Sequence, residues 1–274
     1  MSTAAQQWID QPALAGGQLL LRRQPGAVEV TFHRPEKHNA FTDAMYDGLL
    51  ALTASLVDDT ETRVVVFRGG GGRAFAAGND ISSFAGFTTG AHGVAYEARI
   101  RQVLDGLSGL PQTTLAVVDG LCVGGGLAVA NACDLRVATP ASRFGYPIGR
   151  TLGNALSASL VHRCVEVFGD PITREMLLTA RLIDAERAYA VGAVMQVQQA
   201  DELDAFIDGF VITTVPLARL TGVLTKSQLA EGPHRYDRDA DDARLDIAYG
   251  SADFREGVSA FLAKRSPAFG GSID

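Results

Sequence analysis

The chain has little cysteine, no surplus of basic residues and no long hydrophobic run, and each shortage removes a class of protein. Three of its 274 residues are cysteine, without a CxxC pair or metal-ligand spacing, so we expect buried thiols in a reducing compartment and no metal site. The longest charge-free stretch near the middle, residues 121–133, is too short and too glycine-rich for a membrane span of about 20 residues. Trp8, Asp10 and Pro12 interrupt the N-terminal region, so we expect no signal peptide, no membrane partner and a cytoplasmic location.

The charge balance is acidic, and basic residues form no stripe. There are 31 Asp and Glu against 24 Lys and Arg, a net charge of −7, so we expect no nucleic-acid partner. At 47% hydrophobic residues, the chain can bury enough apolar surface to offset the entropy lost on folding, which excludes disorder. The 30 glycines are clustered without a three-residue period, which excludes a collagen-like chain.

Strand and helix patterns alternate through most of the first 200 residues. The turn signals Gly16-Gly17 and Pro25-Gly26 predict an opening hairpin. Helical spacing begins at the N-cap Thr42 and recurs near residues 95–107. An alternating, β-branched run predicts a strand at residues 28–32, and apolar runs predict buried strands at residues 64–67, 114–118 and 135–138. This alternation predicts βαβ units around a mostly parallel sheet, and therefore an α/β fold.

The pattern becomes helical after residue 154. Helices are predicted at residues 155–168, 173–178 and 185–189, with a short strand at 194–197. Four helical stretches without a strand then follow, the last at about 251–264. We therefore divide the chain into an α/β core, residues 1–200, and a helical region, residues 201–274, whose apolar faces must pack on the core or on a second subunit.

Three loops that follow predicted strands carry the candidate chemistry. The triplet Gly124-Gly125-Gly126, between a strand and a helix, has two interpretations: backbone N–H groups aimed at an anion or oxyanion, or a tight turn that lets the helix pack closely on a strand. It matches neither a P-loop nor the dinucleotide fingerprint. A second small-residue loop, residues 73–80, could present another N–H to the same carbonyl oxygen. The third loop is residues 33–40.

In this order the loops RPEKHNA, FAAGND and GGG resemble the enoyl-CoA hydratase/isomerase (crotonase) superfamily. The resemblance continues through FGYP at residues 144–147 to residues 256–265, and so covers nearly the whole chain. It implies a crotonase-like spiral of ββα turns with a C-terminal all-helical trimerisation region, and a homotrimer or a dimer of trimers. It also implies an acyl-CoA substrate, of which coenzyme A is a part, so no separate cofactor is expected.

The resemblance assigns roles to individual residues. The N–H groups of Asn79 and Gly125 would form an oxyanion hole for the thioester carbonyl, and Lys37 would meet the phosphates or adenine region of CoA. Phe261 and Lys264 resemble a pair that approaches the CoA of a neighbouring subunit, and fit equally a core Phe and a surface Lys of an amphipathic helix. The remaining CoA path would be lined by Ala40, Ala77, Asp80 and Ile81.

The chain departs from the family pattern at the two glutamates with which the hydratases hold and activate water. Ala128 and Ile148 stand in their places, and residues 135–165 contain no Asp or Glu. Neither replacement can transfer a proton, so the usual source of general acid–base catalysis is missing.

Polar residues near the second glutamate position leave alternatives open. Tyr146 and Arg150 flank it. Arg150 could bind a substrate carboxylate, which would suit a decarboxylase or an enzyme that acts on a dicarboxylic acyl-CoA. Alternatively, Arg150 forms a structural ion pair. Asn154 could bind an acyl carbonyl or water, or cap the helix after it.

Other candidates near the site are weaker. We expect Tyr96 and His92 to be surface residues rather than catalytic ones. Ser157 or Ser159 with His162 lacks the strained nucleophile turn of a hydrolase, so no triad is expected.

These observations predict a lyase or isomerase of enoyl-CoA hydratase/isomerase type, acting in fatty acid metabolism. The shared step is stabilisation of a thioester enolate in a backbone oxyanion hole. Hydration or dehydration, isomerisation and decarboxylation all use that step and stay open. The alternative is a catalytically silent acyl-CoA-binding homologue. Residues 82–110, which border the acyl pocket in relatives, show no reaction-specific motif.

Overall fold

A computed structural model describes residues 7–231 and 237–270 of the protein. In chain order the strands are β1 (Ile9–Leu14), β2 (Leu19–Gln24), β3 (Ala27–Phe32), β4 (Val64–Gly69), β5 (Ala74–Ala76), β6 (Thr113–Val118), β7 (Leu121–Val123), β8 (Leu135–Ala138), β9 (Arg143–Gly145), β10 (Ile183–Asp184) and β11 (Gln196–Val197). The helices are α1 (Asp43–Val57), α2 (Gly90–Ser108), α3 (Gly125–Ala132), α4 (Ile148–Thr151), α5 (Ala158–Thr179), α6 (Ala185–Ala190), α7 (Leu203–Thr214), α8 (Arg219–Glu231), α9 (Arg238–Gly250) and α10 (Ala252–Leu262).

The strands form two sheets that place the loops of the site. The larger sheet has the order β1-β2-β3-β4-β6-β8-β11, antiparallel as far as β3 and parallel from β3 onward. The smaller sheet has the order β10-β9-β7-β5, in which only the β10–β9 pair is antiparallel. The predicted α/β fold, opening hairpin and mostly parallel strands are confirmed.

The core lies on both faces of the larger sheet. In β4, Val65 and Phe67 face the cluster that α1, α2, α3 and α5 cover, while Val64 and Val66 face the cluster beneath α7. This period of two explains why the run is wholly apolar, because neither face of the strand meets water.

The helical region after residue 200 follows the prediction, and the segment before it differs. Four helices without a strand, α7 to α10, occupy the described residues from 203 to 262, and α7 packs on the sheet. The two helices predicted at 155–168 and 173–178 are confirmed as the two halves of α5, which are separated by a kink at Gly169 (φ +77°), before Pro171, although the first half begins only at Ala158. The strand predicted at 194–197 is shorter, Gln196–Val197. The domain boundary near residue 200 stays a prediction.

Among the described helices, none alone has the length and hydropathy to cross a membrane. One pair, Ala200–Thr214 with Arg219–Glu231, satisfies the length and composition requirement jointly, although its two members are bent by 103°.

Candidate active site

A buried asparagine organises the loop of residues 33–40. Asn39 has left-handed backbone (φ +56°), and its side-chain oxygen accepts a hydrogen bond from the Arg34 amide at 2.9 Å. Its side-chain nitrogen donates to the carbonyl oxygens of Gly70 at 2.9 Å and Ala74 at 2.8 Å. The asparagine of RPEKHNA therefore fastens this loop to the turn between β4 and β5, a role that the sequence analysis missed.

An ion pair joins the first loop to the second. The Arg34 guanidinium donates to the carbonyl oxygen of Ala40 at 2.7 Å and to the Asp80 carboxylate at 3.0 Å. The Ser82 hydroxyl, followed by Arg34, holds the pKa of Asp80 below its ordinary value. Asp80 is thus engaged within the protein, whereas Lys37 is exposed and its ammonium group makes no hydrogen bond or ion pair with the described residues.

Two backbone N–H groups are left without acceptors where the second loop meets the glycine triplet. The amide of Phe41 donates to the carbonyl of Gly78 at 2.9 Å, and the amide of Asp80 donates to that of Phe41 at 2.8 Å, so this bridge bypasses the Asn79 amide. Gly125 is the first residue of α3, where amides have no partner within the helix. Within the described part of the chain, neither the Asn79 nor the Gly125 amide donates to a protein acceptor.

The structure confirms the close-packing interpretation of the glycine triplet, while the oxyanion interpretation stays a prediction with which the geometry agrees. A Cβ atom on Gly126 would lie 2.3 Å from the carbonyl oxygen of Ala76, so this glycine permits close packing of α3 on β5. Gly124 has φ +53°, and a Cβ atom there would lie 3.3 Å from the Cα of Gly78. The close approach brings Gly125 to the Asn79 loop, as an oxyanion hole requires.

A mostly apolar cavity of about 180 Å³ adjoins these two amides. Of the residues predicted for the site, it is lined by Ala77, Asn79, Ile81, Gly125 and Tyr146. Ala128 and Ile148 also line it, so the two positions that replace the glutamates do face the cavity. Among the described residues, Lys37, Ala40, Asp80, Arg150, Phe261 and Lys264 do not line it.

Two tyrosines, Tyr96 and Tyr146, line the cavity, and a third, Tyr46, contacts the side chain of the lining residue Asn79. The Tyr46 hydroxyl donates to the Asn79 side-chain oxygen at 2.5 Å. Tyr146 is buried, and its hydroxyl lies near the Asn131 amide without a hydrogen bond of normal geometry. Burial is the main cause that raises the pKa of both hydroxyls well above the ordinary value, so both stay neutral donors.

Tyr96 is not the surface residue that we predicted. Its ring packs edge-on against Phe84, with ring centroids 5.0 Å apart, and it lines the cavity. The hydroxyl is buried without a hydrogen-bond partner among the described residues. Burial, and secondly the charge of Glu97, raise the pKa of this hydroxyl. His92, in contrast, is exposed as expected.

Glu97 is a lining residue that the sequence analysis missed entirely. It is half-buried on α2, and its Oε2 atom is buried without a hydrogen-bond partner. A signal was present, because Glu97 lies three residues before Ile100 and seven before Leu104, on the buried stripe of this helix. A carboxylate on an apolar helical stripe is unusual enough to mark a candidate site.

Several further expectations are settled by position. Arg150 is exposed on α4 and is not brought to the cavity. Asn154 does not cap a helix, since α5 begins after Ser157, and it lines the cavity instead. The interpretation of Phe261 as a core residue is wrong, because its side chain is 83% exposed. The Ser157 and Ser159 hydroxyls contact each other at 3.2 Å and make no hydrogen bond to His162 in the described structure.

The three cysteines are buried, as their apolar neighbours in the sequence predict. Cys122, Cys133 and Cys164 are buried free thiols. Within residues 7–231 and 237–270, no group of three or more His, Cys, Asp or Glu side chains could hold a metal ion.

The fold and the site together define a protein in which two backbone amides, unpaired within the described residues, adjoin a mostly apolar cavity. The chain belongs to the enoyl-CoA hydratase/isomerase family, whose family model matches residues 22–272. It is similar to human "Enoyl-CoA hydratase domain-containing protein 2, mitochondrial", with 29% identity over 263 residues that cover 90% of this chain and 86% of the relative. It is also similar to methylmalonyl-CoA decarboxylase of Escherichia coli, with 28% identity over 249 residues, 88% of this chain and 94% of the relative.

A solved structure confirms the fold assignment. The chain resembles an enoyl-CoA hydratase/carnithine racemase from Magnetospirillum magneticum with a TM-score of 0.86 and 30% identity, over 96% of this chain and 97% of the other. The crotonase-like α/β core and the C-terminal helical region are therefore both confirmed.

Proposed function

We propose that this protein is an acyl-CoA enzyme that forms a thioester enolate and stabilises its oxygen with the N–H groups of Asn79 and Gly125. The observation that carries the proposal is the pair of free backbone amides beside one apolar cavity. When a thioester loses a proton or carbon dioxide from the carbon next to its carbonyl, negative charge develops on the carbonyl oxygen. Preorganised donors in a poorly solvated site stabilise that charge strongly.

The CoA part of the substrate has a separate set of candidates. Lys37 is exposed and its ammonium group is unpaired within the described residues, so it can bind the phosphate groups of CoA. Ala40 and Asp80 belong to the two loops that the Arg34 guanidinium joins, and they support the path by shaping these loops. Coenzyme A belongs to the substrate, and we propose no separate cofactor.

The cavity wall favours some reactions of this class over others. Hydration needs groups that hold and activate water, and the positions of the two hydratase glutamates are filled by Ala128 and Ile148. Double-bond isomerisation only moves a proton between carbons, and so suits this wall better.

Decarboxylation is the second candidate. The loss of carbon dioxide forms the enolate without a base, which is compatible with a wall that lacks both glutamates, and one relative is named as a decarboxylase. Arg150, the residue predicted to hold a substrate carboxylate, lies outside the cavity, so this candidate ranks below isomerisation.

The assembly and the setting of the enzyme are also proposals. Large apolar side chains are exposed on α9 and α10, including those of Leu245, Tyr249, Phe254 and Phe261. An apolar face of this kind needs a covering surface, which supports a homotrimer or a dimer of trimers. A cytoplasmic location and a role in fatty acid metabolism stay predictions.

The experiment follows the enolate directly. The purified protein is incubated with butyryl-CoA in deuterated water, and incorporation of deuterium next to the carbonyl is measured by mass spectrometry. CoA binding is measured in parallel by calorimetry. We expect exchange well above the rate without protein, and turnover of at least one of 3-butenoyl-CoA, crotonyl-CoA and methylmalonyl-CoA.

Two results would contradict the proposal in different ways. Binding of CoA without exchange or turnover would establish the catalytically silent acyl-CoA-binding homologue. The absence of both CoA binding and exchange would remove the acyl-CoA assignment itself.

A further inference from the structure

We infer that Glu97 is the acid–base residue that moves the proton in the double-bond isomerisation proposed above, for which the substrate is a 3-enoyl-CoA thioester. The inference rests on the proposed function, because it needs an enolate held by Asn79 and Gly125. It assigns a catalytic role to a helix, α2, that contributes no recognisable motif.

The first support is position. Among the described residues that line the cavity, Glu97 supplies the one carboxylate. It lies on α2, whereas the vacant glutamate positions belong to α3 at Ala128 and α4 at Ile148. The same cavity therefore receives a carboxylate from a different wall.

The second support is that no described group neutralises this carboxylate. Glu97 forms no hydrogen bond or ion pair with the described residues, and its Oε2 atom is buried. Arg99, the cation nearest to it along the helix, is taken by Asp43 at 2.8 Å and by Asp47 at 2.6 Å. Leaving a buried carboxylate oxygen unpaired costs free energy, so a purely structural glutamate would be expected to have a partner.

The third support is the set of titratable groups around Glu97. Tyr96 and Tyr146 line the same cavity as Glu97. The charge of Glu97 acts on the hydroxyls of Tyr46, Tyr96 and Tyr146, and Arg99 and Asp43 act on Tyr96 as well. Burial is the main cause of the raised pKa of each hydroxyl, and the charge of Glu97 adds to it. The carboxylate is thus within electrostatic reach of all three hydroxyls, and these remain neutral while Glu97 exchanges protons.

The proton transfer balances without any further reactant. The Glu97 carboxylate removes a proton from C2 of the 3-enoyl thioester: the C–H bond breaks, an O–H bond forms on Glu97, and the electron pair enters a dienolate. The oxygen of that dienolate is held by the two free amides. The protonated Glu97 then gives the proton to C4, the double bond closes between C2 and C3, and the carboxylate is regenerated.

The test compares full-length variants on 3-butenoyl-CoA, with formation of crotonyl-CoA followed by enoyl-thioester absorbance. Glu97→Gln keeps the size of the side chain and removes the base, so kcat should fall about 10²–10⁴-fold while KM changes only a few-fold. Glu97→Asp keeps a carboxylate and should retain more activity than Glu97→Gln. In the wild type, a plot of kcat against pH should fall on its acid side. Any residual activity of Glu97→Gln should not show this fall.

Asp105→Asn is the matched control, because Asp105 is an exposed carboxylate on the same helix and does not line the cavity. It should leave kcat within about twofold of wild type. Thermal unfolding of each variant checks the fold, and Glu97→Gln should not lower the midpoint, because it removes an unpaired charge. If Glu97→Gln does fail to fold, the shortened carboxylate of Glu97→Asp and its pH profile decide the question.

The outcomes separate this inference from the proposed function. If wild type exchanges the C2 proton of butyryl-CoA and Glu97→Gln does so at the same rate, the enolate function stands and the assignment of Glu97 is wrong. Wild type that exchanges this proton but does not convert 3-butenoyl-CoA overturns the substrate class. Wild type that does neither overturns the proposed function itself.

Discussion

The substitution Gly125→Ala tests the oxyanion hole with a single methyl group. The added Cβ would lie 2.4 Å from the Asn79 side-chain oxygen and 2.7 Å from the Tyr46 hydroxyl. These two atoms share a hydrogen bond of 2.5 Å, so both side chains must move and we expect the bond to break. Since the Asn79 amide is the second proposed donor, one methyl group disturbs both sides of the hole.

The expected effect on catalysis is much larger than the effect on stability. Displacing one oxyanion donor costs about 3–4 kcal/mol in the barrier, so the rate should fall about 10²–10³-fold. The lost Tyr46–Asn79 hydrogen bond costs about 1 kcal/mol of folding stability. Alanine is favoured over glycine in a helix by up to about 1 kcal/mol, which offsets part of this loss. The free energy of unfolding should therefore change by less than about 1 kcal/mol.

The neighbouring glycine should behave in the opposite way. In Gly126→Ala the new Cβ would lie 2.3 Å from a backbone atom, the carbonyl oxygen of Ala76, so β5 or α3 must shift. Overpacking of this kind costs about 1–3 kcal/mol of stability. Gly209→Ala, on α7, is the matched control, since nothing lies within 4 Å of its Cβ position.

The assay is deuterium exchange into butyryl-CoA, with urea unfolding of the same samples. A folded Gly125→Ala protein that exchanges at the wild-type rate would refute the role of the Gly125 amide. A second check combines Gly125→Ala with Asn79→Ala, which removes the closest clash and keeps the backbone donor at residue 79. The double variant should recover part of the lost rate, and no recovery would mean that the clash with Asn79 is not the cause.

Two other predictions concern the loop and the C-terminal segment. Asn39→Ala removes three hydrogen bonds from a buried side chain and should lower the free energy of unfolding, measured in urea, by about 2–4 kcal/mol. The control Asn154→Ala changes an exposed residue and should leave this free energy unchanged. A loss below about 0.5 kcal/mol for Asn39→Ala would contradict the proposal that Asn39 holds the loop in place. The Arg265 guanidinium and the Ala268 amide lower the pKa of Glu256 to about 2. This pairing therefore stabilises the folded protein fully at pH values above the ordinary pKa of glutamate, near 4.3, and the stabilisation is lost as the pH falls through about 2. An NMR titration of the Glu256 carboxyl carbon should show this midpoint, Arg265→Gln should raise it, and a wild-type midpoint near the ordinary value would contradict the pairing.

The long strands and the first helix were predictable because their signals are local. Four apolar or alternating runs gave strands, and Thr42 caps α1 by accepting a hydrogen bond from the Met45 amide at 3.2 Å. The short strands of the smaller sheet could not be predicted in the same way. β5, β7 and β9 have three residues each, too few to show a period, and their pairing depends on loops brought together by the larger sheet.

The same limit explains which parts of the site were missed. Motif spacing located the loops of Asn79 and Gly125, because backbone donors need small residues after strands. It could not locate Glu97, since a side chain on a helix reaches the cavity only through tertiary packing. Asn154 shows the converse: helix-forming residues follow it, yet residues 154–157 remain a loop, and Asn154 lies in the cavity wall.

The proposed oxyanion donors are backbone groups, whereas acid–base groups are side chains, and this difference explains how the site can lack both glutamates while the fold is kept. The donors depend on Gly124 turning the chain and on Gly126 allowing α3 to pack against β5, and any side chain there would disturb the sheet as well as the site. Ala128 and Ile148 lie outside these turn and packing positions and present their side chains to the cavity, although Ala128 also belongs to the buried core. In the proposed function, the enolate step depends on the backbone of these loops, whereas the fate of the enolate depends on which wall carries a proton-transferring group. We assign that wall to α2.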